Sequence, residues 1–449
     1  MNFAIVGAGM LGLTLAWKLQ REGHDVTVLE AAPTAGGLVC PQDFGEFVWD
    51  RYYHCILPHD AHLLSLLGEL GLEGDLRWTR TGTGYFADGR MFDMSGMPDY
   101  LRFPLLSVVD KARLGAAVAY ATKLADPWSL YDVTAEAWLT RLCGRRGYER
   151  FWRPLLRAKF GAYHDRVAAV FIWATLTRLT GARGGAEHKE SLGYVRGGYA
   201  RIVSTLVSKL EARGAKVHVG SPVRAVTPVD GGCELTRMTA DGEVTGRYDK
   251  VLFTGPSSLA RAVTPTELHG ALDLFEAQNP TSRAYLGVVC VTLALKKPLT
   301  PYYVLNVGDE SVELTGVIEM TTLVSREETA GRSLVYLPRY MDSADPRFDE
   351  PDEWHRASTI DRGLKRLFRD FDERDITSMV VSRARYVQPL PLAGMRPARD
   401  RQLPAWEAGF NVVNTALLQR ATLNNNEVVA LADALIARNL PLLRRGAGA

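Results

Sequence analysis

Apolar positions near the start of the chain change their spacing twice. Residues 3–6 form a short apolar run, and residues 26–29 form a second, mostly apolar one. Between these runs, the apolar residues from Leu13 to Leu19 recur at the spacing that places side chains on one face of a helix. The order strand, helix, strand predicts a βαβ unit whose helix packs on a parallel sheet.

Three glycines occupy the turn between the first predicted strand and the helix. Gly7 permits a sharp turn, Gly9 lets the backbone approach a pyrophosphate, and Gly12 lets the helix pack closely on the sheet. The N–H groups at the helix start, at Met10 and Leu11, would face the phosphates together with the positive end of the helix dipole. This pattern predicts nucleotide binding.

A carboxylate follows the second strand at Glu30, 18 residues after Gly12. It can accept hydrogen bonds from both ribose hydroxyls of a nucleotide, and it would repel a 2′-phosphate. The next residues, Ala31 and Ala32, offer no arginine to such a phosphate. The sequence therefore disfavours NADP.

Two later segments favour FAD over NAD. Residues 31–38, which contain Gly36 and Gly37, resemble the extension of FAD proteins of the glutathione reductase and amine oxidase type, where glycines let the loop pass close to the flavin nucleotide. Near the end of the chain, residues 410–413 predict a strand and residues 428–437 an apolar helix. The start of that helix would place backbone N–H groups beside the same ligand.

The remaining pattern divides the chain into interleaved parts. Residues 98–190 carry helical spacing, most regularly at 148–156, and residues 260–385 contain strand-like runs, including 286–295 and 312–322. We expect an α/β fold with a Rossmann-like FAD-binding domain of the glutathione reductase type, interleaved with a substrate domain of a mixed sheet plus a helical subdomain. The predicted FAD-binding domain spans residues 1–80, 191–260 and 386–449, the helical subdomain 81–190, and the sheet-rich part 261–385.

Composition and charge exclude several classes of protein. The 449 residues carry a formal net charge of +2, which gives no bulk attraction to nucleic acid or membrane. The five cysteines lack CxxC spacing, which argues against a disulfide reductase or a metal site and favours reduced thiols in a cytoplasmic protein. A strand that starts at residue 3 leaves no room for a signal peptide. No apolar run approaches the ~20 residues that span a bilayer, although segment 97–106 could contact a membrane surface peripherally.

The ordering of these elements resembles the FAD-dependent amine oxidase superfamily, in its protoporphyrinogen oxidase-like and phytoene desaturase-like branch of NAD(P)/FAD-dependent oxidoreductases. UDP-galactopyranose mutase belongs to the same superfamily. The resemblance is sharpest at residues 7–37, 50–54, 197–199 and 410–427. The chain departs from the pattern at Leu38, where an arginine often follows the paired glycines, and at Asn414-Thr415, where a Gly-Asp pair is typical.

The resemblance implies a set of cofactor-binding residues. It places the pyrophosphate at the first glycine turn and adenosine at Glu30 and Ala31, with the adenine contacted by the backbone of Val223. The ribityl chain would lie along residues 36–38, and the C-terminal segment would hold the phosphate and the isoalloxazine edge. The implied residues are Gly7, Gly9, Met10, Leu11, Gly12, Glu30, Ala31, Gly36, Gly37, Leu38, Val223, Asn414, Thr415, Leu423 and Asn424.

Three residues are candidates for the chemistry. Segment 49–54 follows the FAD loop, and His54, beside Tyr53, could shuttle a proton or bind a substrate anion; a structural hydrogen bond is the alternative. Residues 336–340 alternate as in a strand, so Tyr336 and Tyr340 share one face, and Arg339 could pair with a phosphate or carboxylate. Aromatic cross-strand packing explains that cluster equally well.

Basic residues also follow the helical stripe at 148–156. Arg153, Arg157 and Lys159 lie on or beside its polar side. We interpret them as a solvated face, with anion binding as the alternative.

We predict a flavin oxidoreductase that oxidises or desaturates a small organic substrate, apolar or phosphate-bearing, by hydride transfer to FAD. The alternative is a non-redox sugar mutase resembling UDP-galactopyranose mutase, because the arginine–tyrosine cluster around Arg339 would suit a diphosphate. A plain NAD-dependent dehydrogenase is disfavoured by segment 410–427. The sequence leaves open a flavoprotein that has kept only a binding role.

Overall fold

Five parallel strands form the sheet that the N-terminal pattern predicts. The computed structural model describes residues 1–123, 126–182, 190–398, 403–418 and 422–446. The first strand pairs on one side with the next strand in the sequence and on the other side with a strand near residue 250, and a strand near residue 410 forms one edge of the sheet. In spatial order, the strands are Phe410–Val412 (β19), Lys250–Phe253 (β13), Asn2–Val6 (β1), Asp25–Leu29 (β2) and Lys216–His218 (β9).

A seven-stranded mixed sheet forms the second layer that faces the cavity. Its long strand Tyr285–Leu295 (β14) is buried along its whole length and pairs antiparallel with Ser333–Asp342 (β17) and with the edge strand Ile376–Pro389 (β18). In spatial order, the strands are Ile376–Pro389 (β18), Tyr285–Leu295 (β14), Ser333–Asp342 (β17), Gly316–Glu319 (β16), Val304–Val307 (β15), Thr83–Ala87 (β6) and Arg90–Asp93 (β7).

The hairpin of β6 and β7 belongs to this seven-stranded sheet. Its turn uses Asp88 and Gly89, both at positive φ, as expected for a two-residue hairpin turn. Residues 83–93 therefore share a sheet with the segment that the sequence assigns to the sheet-rich part, instead of joining the helices that follow them. The predicted domain boundaries otherwise stay a prediction.

Three smaller sheets complete the strands. A three-stranded antiparallel sheet contains Val223–Val229 (β10), Gly232–Thr239 (β11) and Gly242–Tyr248 (β12). Two pairs are formed by Pro41–Asp43 (β3) with Val48–Asp50 (β4) and by Leu76–Thr81 (β5) with Glu190–Val195 (β8).

Helices cover the parallel sheet and form a separate helical layer. In chain order they are Met10–Arg21 (α1), Ala61–Leu70 (α2), Met97–Arg102 (α3), Val108–Lys123 (α4), Ala135–Gly147 (α5), Arg153–Phe160 (α6), Ala169–Ala182 (α7), Gly198–Ala212 (α8), Ser257–Ala262 (α9), His269–Gln278 (α10), Asp352–Thr359 (α11), Lys365–Leu367 (α12) and Asn425–Gly446 (α13). The predicted apolar face of α1 packs in one core with α2, α8 and α13.

The helical layer comprises α3 to α7. The stripe predicted at residues 148–156 begins as a π-helical turn over Tyr148–Trp152 and continues as α6. In the segment that could contact a membrane, Phe103 and Leu106 are buried in the helical core, whereas Leu101 is exposed. Among the described residues, no helix is both long enough and apolar enough to cross a bilayer.

Candidate active site

A cavity of about 550 Å³ lies between the parallel sheet and the seven-stranded sheet. Its first wall is made by the carboxyl ends of the parallel strands, at Val6, Leu29 and Phe253, and by Asn414 just after β19. Open α/β sheets bind their ligands at this edge because the loops and helix N-termini converge there. The cavity volume is in the range of cofactor and substrate sites.

Glycine is found at each of the three positions of the first turn for a different geometric reason. Gly7 has a φ of 108°, and a Cβ there would lie 2.4 Å from Thr254 Oγ1. A Cβ on Gly12 would lie 2.0 Å from the carbonyl oxygen of Gly7, which makes Gly12 a packing residue. A Cβ on Gly9 would meet nothing within 4 Å and would project into open space. Gly9 precedes the first residue of α1 and makes no side-chain capping bond, so the first N–H groups of the helix lack a side-chain acceptor at this position.

Glu30 is held at the end of β2 by the backbone. Its Oε2 accepts the N–H of Ala8 and its Oε1 accepts the N–H of Ala32, both at 2.8 Å. A carboxylate oxygen has a second lone pair, so each oxygen can still accept a ribose hydroxyl. The residue lies on the cavity wall beside the glycine turn. This donor set fits the adenosine end of a dinucleotide.

The paired glycines pack on the first glycine turn. The N–H of Gly36 donates to the carbonyl of Ala8 at 2.8 Å, and Gly36 and Gly37 both have positive φ. A Cβ on Gly37 would come within 3.2 Å of the Gly9 Cα. The two glycine segments predicted from the sequence are therefore in direct contact and form one continuous backbone surface.

The C-terminal segment brings a second helix N-terminus to the cavity. Asn424 Oδ1 accepts the N–H of Glu427 at 3.0 Å in the first turn of α13. Asn414 is engaged by the backbone, because its Oδ1 accepts the N–H of Ala416 and its Nδ2 donates to the Gly255 carbonyl, each at 3.0 Å. The side chain of Asn414 thus shapes the strand end more than it offers free groups to a ligand.

Apart from Gly12, the predicted cofactor residues all line the cavity. They are Gly7, Gly9, Met10, Leu11, Glu30, Ala31, Gly36, Gly37, Leu38, Val223, Asn414, Thr415, Leu423 and Asn424. Gly12 lies one turn into α1 and supports the wall from behind. The individual contacts of these residues with a cofactor stay predictions.

The second wall is made by side chains of the seven-stranded sheet and of the loop after β4. The hydroxyls of Tyr53 and Tyr340 lie 3.0 Å apart. Burial raises the pKa of both phenols, so the hydrogen bond between them is uncharged at neutral pH. Cys290 also lines this wall, and burial raises the pKa of its thiol to about 12. These three side chains give this part of the wall a neutral and mainly aromatic surface.

His54 lies on the cavity wall as a neutral imidazole. Its Nδ1 donates to the Tyr52 carbonyl at 2.9 Å, which leaves Nε2 as the acceptor nitrogen. Burial lowers the pKa of His54 to about 4, more than the bond to Tyr52 raises it. An imidazole that is neutral at pH 7 cannot bind an anion by charge, so the predicted anion-binding role of His54 has no electrostatic support.

Asp50 joins two of the sequence patches. Its Oδ1 accepts the N–H groups of Tyr199 and Ala200 at the start of α8, at 2.8 and 3.3 Å. A Cβ on Gly198 would lie 2.7 Å from this oxygen, which explains the glycine there. Tyr336 donates its hydroxyl to the Asp50 carbonyl. Asp50 therefore fixes the direction in which the Tyr53–His54 segment leaves β4.

Arg339 does not reach the cavity. Side chains alternate along β17, so Pro338 and Tyr340 line the cavity while Arg339 lies among other residues. Its Nε donates to the Glu313 carbonyl at 2.9 Å and its guanidinium to Ser358 Oγ at 2.8 Å. The structure thus brings Tyr53 and His54 together at the site and gives Arg339 a structural set of partners elsewhere.

Lys159 is the functional candidate that sequence reasoning placed on the wrong side of its helix. It lies on the cavity wall, with its Nζ 4.3 Å from the ring centroid of Tyr340. The signal was present, because residue 159 continues the apolar spacing of 152, 155 and 156 by three residues. The helical spacing therefore predicts the side of the helix on which Lys159 lies better than the polarity of its side chain does.

Across one cavity, a glycine turn and a carboxylate that suit a dinucleotide face a mainly aromatic wall, and this arrangement fits a flavoprotein with a substrate site. The model of the family described as flavin containing amine oxidoreductase matches residues 11–406, and the chain belongs to this family. It is an FAD-dependent oxidoreductase of that family.

Individual relatives are distant. The chloroplastic protoporphyrinogen oxidase of Nicotiana tabacum is 22% identical over 404 residues, covering 82% of this chain and 72% of the relative. A solved oxidoreductase from Methanosarcina mazei superposes with a TM-score of 0.72 at 18% identity, covering 97% of this chain and 100% of the other. Reduced UDP-galactopyranose mutase gives a TM-score of 0.70 at 16% identity, covering 98% of this chain and 96% of the other. These two structures share the fold.

Proposed function

We propose that the chain oxidises or desaturates a small organic substrate, with hydride passing from the substrate to the bound FAD. The observation that carries the proposal is a single cavity whose one wall is the dinucleotide edge and whose other wall is aromatic. A flavin supplies hydride-accepting chemistry when bound, and the protein supplies position and electrostatic environment.

The substrate wall excludes water and fixes orientation. Val288, Pro338 and Tyr340 present apolar and aromatic surface to the cavity, and the Tyr53–Tyr340 hydrogen bond locks two of the rings. The phenols and His54 are neutral, so none of these three side chains acts as a strong general acid. His54 Nε2 can accept a hydrogen bond from a substrate, and its lowered pKa makes it a weak base for proton uptake.

The observation that favoured the sugar mutase alternative, a diphosphate site around Arg339, does not hold in the structure. That alternative relied on Arg339 with Tyr336 and Tyr340 as a diphosphate site, but Arg339 is bonded to Glu313 and Ser358 outside the cavity. The similarity to UDP-galactopyranose mutase is a likeness of fold. We therefore favour net oxidation of the substrate over isomerisation.

The experiment is an anaerobic half-reaction with the purified holoenzyme. Candidate amines, porphyrinogens, polyenes and nucleotide sugars are added separately, and the flavin absorption is followed before and after air is readmitted. Bleaching by an organic substrate, with recovery of the flavin spectrum in air or with an added acceptor, supports the proposal. Turnover of a nucleotide sugar without net bleaching would contradict it and would restore the mutase alternative.

A further inference from the structure

The cavity wall carries few charges for its size. Among the described residues that line it, Glu30 and Lys159 are the side chains with a formal charge at neutral pH. Glu30 belongs to the nucleotide end, where the backbone of Ala8 and Ala32 holds its oxygens. Lys159 projects from α6 against Tyr340 of the substrate wall. At the substrate end, the described residues therefore contribute one positive charge, from Lys159.

Lys159 is surrounded by aromatic rings. Its Nζ lies 4.3 Å from the ring centroid of Tyr340, and 5.9 and 5.8 Å from those of Phe160 and Phe171. Within the described ranges, no carboxylate forms an ion pair with it, and burial is the cause of the shift in its pKa. Arg157 on the same helix differs, since it pairs with Glu310 at 2.9 Å on the surface.

No carboxylate among the described residues balances the charge of an ammonium in this position. Burial removes part of the hydration of the ammonium, which costs free energy. Cation–π attraction to the faces of the aromatic rings offsets part of that cost. Burial lowers the pKa of Lys159 to about 8, so most of the side chain is still protonated at pH 7. A ligand that supplies the missing negative charge would be stabilised here.

We infer that Lys159 selects the substrate by charge, so that the cavity accepts an organic anion and excludes a protonated amine. The apolar body of the substrate would lie against Val288, Pro338 and Tyr340, and its anionic oxygen group would meet the Lys159 ammonium. A protonated amine would lose water there beside a like charge and without a described carboxylate partner. The inference rests on the proposed function and names the substrate class for that site.

The inference is tested with three ligands of similar shape that carry a negative charge, no charge and a positive charge. Benzoate, benzamide and benzylamine are titrated into the holoenzyme at pH 7 by calorimetry, with the flavin absorption recorded in parallel. The variants are Lys159→Met, which removes the charge, Lys159→Arg, which keeps it, and Arg157→Met as the control on the same helix.

The wild type should bind benzoate at least tenfold more tightly than benzamide, and benzylamine more weakly than either. Lys159→Met should lower the affinity for benzoate about tenfold and leave benzamide unchanged, whereas Lys159→Arg and Arg157→Met should keep the preference for the anion. An equal affinity of wild type and Lys159→Met for benzoate, a preference for benzylamine, or no binding of any probe would overturn the inference.

A pH series on the wild type covers the case in which Lys159→Met fails to fold. Loss of the ammonium at high pH should weaken benzoate binding as the pH rises above about 8, because the anion binds the protonated form. Four neighbouring groups stay neutral between about pH 6 and pH 9: Tyr53, Tyr340 and Cys290 because burial raises their pKa values, and His54 because burial lowers its pKa. The charged groups nearby already have partners, since Asp342 accepts the Tyr163 hydroxyl and Arg157 pairs with Glu310.

The two proposals fail in different ways. A protein that contains FAD and is bleached by a substrate, but shows no charge preference, overturns the role of Lys159 alone. A protein without flavin that still prefers benzoate through Lys159 overturns the proposed function alone. Calorimetry gives the second readout because it does not depend on a flavin signal.

Discussion

The two ends of the cavity are built by different means. At the nucleotide end the wall is mainly backbone, supplied by the glycine turn at residues 7–12 and the paired glycines at 36–37. At the substrate end the wall is made of side chains from separate elements, with Tyr53 after β4, Lys159 on α6 and Tyr340 on β17.

This difference decides how each end can be changed. At the nucleotide end, glycines without side chains leave space for the nucleotide. A side chain added at a glycine that faces this space should abolish binding without disturbing the core. The substrate end depends on side chains that distant segments bring together, so single substitutions there should alter selectivity and local stability by smaller amounts.

Gly9→Val should abolish FAD binding while the fold persists. A Cβ on Gly9 meets nothing within 4 Å and the φ of Gly9 is negative, so the side chain fits the protein and fills the space for the pyrophosphate. Flavin content per chain after purification is the measurement. Gly74→Val is the matched control, because Gly74 is also open and lies outside the cavity. Full flavin content in Gly9→Val would place the cofactor elsewhere.

Glu30→Gln should weaken FAD binding by roughly 10- to 100-fold, since hydrogen bonds to a charged acceptor contribute about 1.5–3 kcal/mol. The amide NH₂ would also face an N–H donor, from Ala8 or Ala32. Equilibrium dialysis of apoprotein with FAD gives the dissociation constant. Glu22→Gln, at the far end of α1, is the control and should bind as the wild type does. An unchanged constant in Glu30→Gln would remove this carboxylate from the adenosine site.

Asp50→Ala should destabilise the protein by about 1–2 kcal/mol, because the first N–H groups of α8 lose their acceptor. Asp50→Asn keeps an acceptor oxygen and should unfold close to the wild type at low pH. The melting temperature of the holoenzyme, followed by calorimetry, compares the three proteins.

The pH dependence of Asp50 has a definite sign. Burial raises the pKa of Asp50 to about 8, above its value in the unfolded chain, so its protonated form favours the fold. That contribution is complete below the unfolded pKa and is lost as the pH rises towards 8. Asp50→Asn should therefore flatten the melting temperature between about pH 4 and pH 8. A profile identical to that of the wild type would show that Asp50 is ionised in the fold.

The hydrogen bond between Tyr53 and Tyr340 should couple the two residues by about 0.5–1 kcal/mol, the usual range for a neutral pair. Tyr53→Phe, Tyr340→Phe and the double variant form the cycle, read by chemical unfolding of the holoenzyme. Flavin content should stay at the wild-type level in all three. Strict additivity would mean that the two rings pack independently.

The nucleotide end was readable from the sequence because its signals are local. The glycines, the strand ends and Glu30 fall within 37 consecutive residues, and their spacing alone determines their geometry. For the C-terminal segment, the sequence predicts a strand followed by a helix, and both are present. The helix is longer than predicted, because it spans Asn425–Gly446 instead of 428–437.

The substrate end was harder to read because it depends on register between distant segments. Strand alternation predicts that Arg339 lies on the face opposite Tyr336 and Tyr340, yet its charge suggested a place beside them. Lys159 shows the converse, since helical spacing places it with the apolar stripe. The run at 312–322 is a strand only over Gly316–Glu319, because a 3₁₀ turn at Met320–Thr322 follows.

The most direct test of FAD binding at this site is to release the flavin of the purified protein by denaturation, separate it by chromatography and measure its amount per chain. The cavity between the glycine turn and the aromatic wall predicts about one non-covalent FAD per chain, distinguishable from FMN by its adenosine half. FMN in place of FAD would contradict the role of Glu30 and the glycine turn. The absence of any flavin, even after incubation with FAD, would contradict the cofactor site and the proposed function.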